Sequence, residues 1–177
     1  MTAAPTATRP RVLIAYYSRT GNTRRVAETI AAELGGDLEP IVDRVNRRGF
    51  VAYLRAARDA IQGRPTDIAP PRLDPAAYDL VVVGTPVWGS SLAPAVRTWL
   101  SGHTGRLPDT ALFLTHGGSG RERVFAQMTG LCGRFPLAAL ALREQELREG
   151  SWEGKVHGFA AELAALAARS RAADTRP

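Results

Sequence analysis

The sequence predicts an α/β protein, a three-layer α/β/α sandwich built on a five-stranded parallel sheet. Three observations point there. Short apolar runs recur along the chain and are nearly continuous rather than alternating, as in strands covered on both faces. The segments between them carry apolar residues at helical spacing. The 177 residues suffice for one domain but not for a barrel of eight βα units, which takes about 250.

Val12 to Tyr16 is the first predicted strand. Leu38 to Val42 is the second, and Pro40 inside it assigns it to a sheet edge, because proline donates no ladder hydrogen bond. Leu80 to Val83, Ala111 to Leu114 and the alanine-rich run Leu137 to Leu142 complete the set. Helical stripes fall between and after them: Val26, Ile30 and Leu34; Phe50, Leu54, Ala57 and Ile61; Val96, Trp99 and Leu100; Phe125, Met128 and Cys132; Val156, Phe159, Leu163 and Leu166. Such stripes face a core. Alternating strands and helices, right-handed crossovers and an edge second strand lead to the strand order 2-1-3-4-5. The domain is expected over 11–170, with tails at 1–10 and 171–177.

Composition excludes several chemistries. The single cysteine, Cys132, rules out an intramolecular disulfide and a multi-cysteine zinc or iron–sulfur site, and reads as a small buried hydrophobe. His103, His116 and His157 are far apart and show no paired metal-ligand spacing, so no metal is expected. The first ten residues lack the apolar core of a signal peptide, and no apolar run approaches the ~18 residues of a membrane span. A cytoplasmic location is expected.

The formal net charge is +6, and 22 of the 23 basic residues are arginine. A basic surface favours anionic ligands or acidic partners. Zinc-finger spacing, the aromatic RNA-binding pattern and a basic helix with heptads are all missing, so nucleic acid is not an expected partner. Between Asp43 and Arg72 the chain has Arg44, Arg47, Arg48, Arg55, Arg58, Arg64 and Arg72 against Asp43, Asp59 and Asp67. This stretch could dock an acidic redox partner or attract a phosphorylated nicotinamide; the plainer reading is a solvated helix face.

In such sheets ligands bind outside the carboxyl ends of the strands. Three loops lie there. The first, Ser18-Arg19-Thr20-Gly21-Asn22-Thr23, offers hydroxyls, an amide and a glycine at a helix start, which suits a phosphate; ordinary capping by the same residue types is the alternative. The second, Thr85-Pro86-Val87-Trp88-Gly89 with Ser90 and Ser91 behind it, places a tryptophan between prolines and glycines. Trp88 either stacks on a flat ring or packs on a neighbouring helix. The third, Thr115-His116-Gly117-Gly118-Ser119 and then Gly120, can turn backbone N–H groups toward a ligand, and His116 is either a proton donor or a polar strand end.

Other phosphate and nucleophile motifs fail. The only lysine, Lys155, is followed by Val156, which excludes a Gly-Lys-Ser/Thr loop. The first loop has one glycine where a dinucleotide fingerprint needs three. Arg121 stands where an esterase elbow would need its second glycine.

The stretch from Tyr16 to Thr23 resembles the flavodoxin signature Thr/Ser-x-Thr-Gly-x-Thr. Gly84 to Gly89, continuing through Leu92-Ala93-Pro94-Ala95-Val96, resembles that family's second flavin loop. The resemblance spans roughly Arg11 to Ala168 and is to the short-chain subgroup. It implies FMN as cofactor. Ser18, Thr20, Asn22 and Thr23, with Arg19 and Gly21 between them, would hold the phosphate. Trp88 would cover one ring face, and Gly89 would set a backbone carbonyl near the flavin N5. The Thr115 to Gly120 loop would edge the pyrimidine end. It implies no catalytic side chain, because the flavin itself reacts.

Three departures from the family matter. The chain is basic where flavodoxins are acidic, Ser90 stands where many have an acid, and the third loop has no tyrosine to shield the ring. Neutral or positive surroundings stabilise fully reduced, anionic flavin, and about 1.4 kcal/mol corresponds to roughly 59 mV in a one-electron potential. A less reducing second couple than an acidic carrier's is therefore expected. The resemblance implies an electron carrier between a reductase and an acceptor. The first alternative is an NAD(P)H-dependent reductase of small acceptors such as quinones. The second is a flavin-free interaction or sensor module, against which the intact loops argue. No residue pattern fixes an oligomeric state.

Overall fold

The computed structural model describes residues 9–45, 58 and 62–174, without side chains for 171–174. The predicted helix through Phe50, Leu54, Ala57 and Ile61 lies outside the described residues, as do Arg47, Arg48, Arg55 and Asp59.

The chain forms β1 (Val12–Tyr16), α1 (Asn22–Leu34) and β2 (Asp37–Pro40), and then a short 3-10 turn (Pro75–Ala77). It continues through β3 (Leu80–Trp88), β4 (Ser91–Leu92), α2 (Pro94–His103) and β5 (Asp109–His116). It closes with α3 (Arg121–Cys132), β6 (Ala139–Arg143), α4 (Glu144–Glu149) and α5 (Glu153–Asp174). Five parallel strands run in the order β2-β1-β3-β5-β6, and β4 folds back antiparallel on the end of β3. Setting β4 aside, this is the 2-1-3-4-5 order the sequence predicts. β2 is the edge, and Pro40 is its last residue, where a missing donor costs least.

Alternation along the strands splits the core in two. Leu13, Ala15, Val81, Val83, Leu112 and Leu114 point to α2 and α3, where Trp99, Leu100, Val124, Met128 and Cys132 meet them. Ile14, Leu80, Val82, Ala111 and Phe113 point the other way, to Val26, Ile30 and Leu34 of α1 and Val156, Phe159 and Leu163 of α5. The central strands are buried on both faces, which explains their unbroken apolar runs. Gly84, on β3, has no side chain because Phe113 of β5 occupies the space: a Cβ there would stand 2.0 Å from Phe113 Cζ. Among the described residues, no helix is long and apolar enough to cross a membrane.

Candidate functional site

The carboxyl edge of the sheet brings the three sequence-predicted loops into mutual contact. β1 ends at Tyr16, opposite Gly84, but β3 runs four residues further, to Trp88. The overhang pairs with β5 as far as Pro86 opposite Thr115. The first loop leaves β1 by donating the Tyr17 N–H to the Gly84 carbonyl at 3.1 Å. Gly21 then takes a left-handed conformation, φ 94°, and is itself the N-cap of α1.

No side chain caps that helix. The Ser18 hydroxyl accepts the Gly21 N–H at 3.1 Å instead. The first-turn N–H groups of α1 lie beyond the reach of any intrahelical acceptor, and with the helix dipole they form an anion-binding end. Capping by Ser, Thr or Asn, the alternative reading of this loop, is not what these residues do. Arg19 and Thr20 are exposed, Asn22 is half-buried and Thr23 is buried. Thr23 shares a 2.9 Å hydroxyl–hydroxyl bond with Thr115, which ties the first loop to the third.

The second loop is a β-hairpin. Thr85, Pro86, Val87 and Trp88 are the overhang of β3, and Gly89-Ser90 is the two-residue turn into β4, with Trp88 opposite Ser91 and Val87 opposite Leu92. Both turn residues have positive φ, 53° at Gly89 and 55° at Ser90, the conformation that matches the twist of paired strands. The sequence suggests a loop tryptophan free to stack on a ring or to pack on a helix. Trp88 packs: it is 6 % exposed and belongs to the buried cluster that includes residues of α2 and α3, and its ring meets Tyr17 edge-on at 5.5 Å between centroids. It therefore joins the hairpin to the first loop. Trp99 and Trp152 pack in the core.

The third loop starts from Thr115 and His116, both buried at the end of β5, and continues through exposed Gly117, Gly118 and Ser119. Gly120, φ 85°, is the N-cap of α3, again with no side-chain cap. It rests directly on the second loop: a Cβ on Gly120 would stand 2.5 Å from Ser90 Cα. His116 is 2 % exposed, and its buried Nδ1 has no hydrogen-bond partner. Burial holds the imidazole below its ordinary pKa, and Arg143 and Arg121 push in the same direction against the weaker pull of Glu146 and Glu122.

The basic stretch is partly neutralised where it is described. Arg44 lies 3.7 Å from Asp67, and Arg72 lies 3.7 Å from the buried carboxylate of Glu39. Cys132 is buried, and burial pushes its thiol up to about 11. Two shallow clefts, of about 450 Å³ between α1 and α5 and about 290 Å³ beside Tyr78 and Asp109, lie away from the three loops. Among the described residues no group of three or more His, Cys, Asp or Glu is placed to hold a metal ion.

Sequence reasoning missed Gln127 of α3. Its Oε1 accepts the Leu92 N–H at 2.9 Å, and its amide lies within 3.3 Å of the Ser91 hydroxyl. No signal marks it, since a polar residue on a half-exposed helix is ordinary. The hairpin did carry a signal, a Gly-Ser pair between apolar strands.

No family model and no curated protein sequence matches the chain. Solved structures do. A flavoprotein from Lactobacillus acidophilus NCFM, in complex with FMN, is 24 % identical, with a TM-score of 0.67 over 80 % of this chain and 99 % of its own. A protein from Bacteroides eggerthii DSM 20697 is 23 % identical, with a TM-score of 0.64 over 83 % of this chain and 98 % of its own. The flavodoxin, WrbA-like protein of Agrobacterium tumefaciens is 14 % identical, with a TM-score of 0.55 over 90 % of this chain and 98 % of its own. With the strand order and the three joined strand-end loops, these likenesses establish that the chain has the flavodoxin-like fold.

Proposed function

We propose that the chain is an FMN-binding redox protein of the cytoplasm that carries electrons between a reductase and an acceptor. The observation supporting this most directly is the closure of three loops at one sheet edge around two uncapped helix starts, at Gly21 and Gly120. A phosphate fits the first. Ser18, Thr20, Asn22 and Thr23 belong to the loop and first turn of α1, a helix start that no side chain caps. A flat polar ring fits the second and third loops, where the buried His116 Nδ1 is left without a partner and Gly117, Gly118 and Ser119 are open. The likeness to a flavoprotein complexed with FMN supports the same ligand.

When bound, FMN supplies the chemistry, accepting and releasing electrons singly or in pairs. The protein's own part is binding and tuning. Loop one holds the phosphate. Thr85 to Gly89 and Thr115 to Ser119 border the ring. Trp88 backs the first loop through Tyr17 rather than standing free.

A second reading is direct reduction of small flat acceptors such as quinones, with NAD(P)H as donor. The third loop favours it, because it has no aromatic residue and its exposed glycines leave that side uncovered.

The test is the visible spectrum of FMN-incubated, desalted protein during stepwise anaerobic reduction. Retained flavin reduced in two resolved one-electron steps supports the carrier. Retained flavin reduced in a single two-electron step, together with turnover of quinone by NAD(P)H, supports the reductase. Loss of all flavin on desalting would sink both.

A further inference from the structure

The Gly89–Ser90 turn is the least comfortable part of the candidate site. Ser90 is the single non-glycine residue with positive φ among the described residues. That left-handed conformation is strained for a residue that carries a side chain. A two-strand hairpin is also marginal on its own, and β4 is only two residues long. Something outside the hairpin must hold it.

The holding group is Gln127, half-buried in the middle of α3. It reaches across to β4 and takes the Leu92 N–H at 2.9 Å, while Ser91 Oγ stands 3.2 Å from its Nε2 and 3.3 Å from its Oε1. Ser91 and Leu92 are fully buried, so the Leu92 N–H would have no water to replace a lost acceptor. About two turns back along the same helix, at its N-cap, Gly120 lies flat against Ser90. Helix α3 thus fixes both sides of the turn, and its own N-terminus leads directly from the third loop.

We propose that Gln127 is a positioning residue for the flavin site, locking the Gly89–Ser90 turn in the one conformation that presents the hairpin to the ring. The inference rests on the FMN reading above. Without Gln127 the hairpin samples other conformations. Apparent affinity then falls in proportion to the fraction still competent to bind.

The test compares wild type with Gln127→Leu, Gln127→Glu and Cys132→Ala. FMN binding is followed by quenching of flavin fluorescence, and the bound flavin by visible circular dichroism. Gln127→Leu is expected to bind about tenfold more weakly, as a competent fraction near one in ten requires, and to alter the dichroism. Gln127→Glu keeps oxygen acceptors for Leu92 and Ser91 and is expected to recover most of the affinity. Cys132→Ala, on the same helix but away from the hairpin, is expected to lower the melting temperature and leave the dissociation constant unchanged. If Gln127→Leu does not fold, Gln127→Met, which keeps the chain length without an acceptor oxygen, takes its place. Wild-type affinity and dichroism in the apolar variant would overturn the role of Gln127 while leaving FMN binding intact. Failure of the wild type itself to hold FMN would overturn the flavin reading and this inference with it.

Discussion

Thr23, in the first turn of α1, and Thr115, at the end of β5, are 92 positions apart and share a buried hydroxyl–hydroxyl hydrogen bond of 2.9 Å. One residue belongs to the loop that suits a phosphate, the other to the loop that suits a ring edge. The bond therefore sets the distance between the two halves of the site. Replacing either residue by valine keeps the shape and strands the remaining hydroxyl. Each of Thr23→Val and Thr115→Val is expected to cost about 1–2 kcal/mol. The double variant should cost less than the sum, because it leaves no orphan. Urea unfolding of the four proteins, read as a double-mutant cycle, measures the coupling. Strict additivity would mean that the two hydroxyls do not act as a pair.

Gly84 is the point where β1 stops and β3 goes on. Its carbonyl receives the Tyr17 N–H, and its missing side chain makes room for the Phe113 ring. Gly84→Ala is expected to destabilise the fold by about 3 kcal/mol, the upper end of ordinary overpacking, because the clash is with a fully buried ring. Gly84→Ala combined with Phe113→Leu should recover part of that loss. Chemical denaturation midpoints check both.

The inner strands were legible because burial on both faces leaves no polar position in Val12 to Tyr16 or Leu80 to Val83, and the edge was legible from Pro40 alone. The overhang of β3 was not. Gly84 and Pro86 look like strand breakers, but past Gly84 the strand has lost β1 and keeps β5 as its only parallel neighbour, so a proline is tolerated there. Trp88 was misplaced for the same reason: read as loop, it is in fact strand, and its ring turns inward to Tyr17. α4 is six residues of mostly polar sequence, too short to show a stripe. Gln127 was invisible because its significance lies in what it meets, Ser91 and Leu92, and only the folded chain brings them together.

Cys132 tests the reading of α3 as a packed element. Burial raises its thiol to about 11, so almost no thiolate exists near neutral pH, and 3 % exposure denies access to reagents. A disulfide reagent such as DTNB at pH 8 is expected to leave the folded protein untouched and to titrate one thiol in denaturant. The slow reaction in buffer should track unfolding rather than reagent concentration. Prompt labelling of the folded protein would mean that this end of α3 opens on its own.

His116 gives the site a pH dependence whose sign can be worked out. Its imidazole is 2 % exposed, at the end of β5. Burial acts first to favour the neutral form. Arg143 on β6 and Arg121 on α3 add to it, and Glu146 on α4 and Glu122 on α3 subtract. The folded pKa lies below the ordinary 6.5, so the unfolded chain binds this proton more readily than the folded one. Stability from this group is fully present above 6.5. It is lost as pH falls from there through the lower folded value, and below that value the loss levels off. The melting temperature of the wild type is expected to drop more steeply between about pH 7 and pH 5 than that of His116→Gln, which has no proton to take up. His103, His157 and every carboxylate are common to both proteins, so the difference between the two profiles isolates His116. Parallel profiles would mean that the ring takes up its proton without strain, and that its unpartnered nitrogen finds an acceptor in the folded chain.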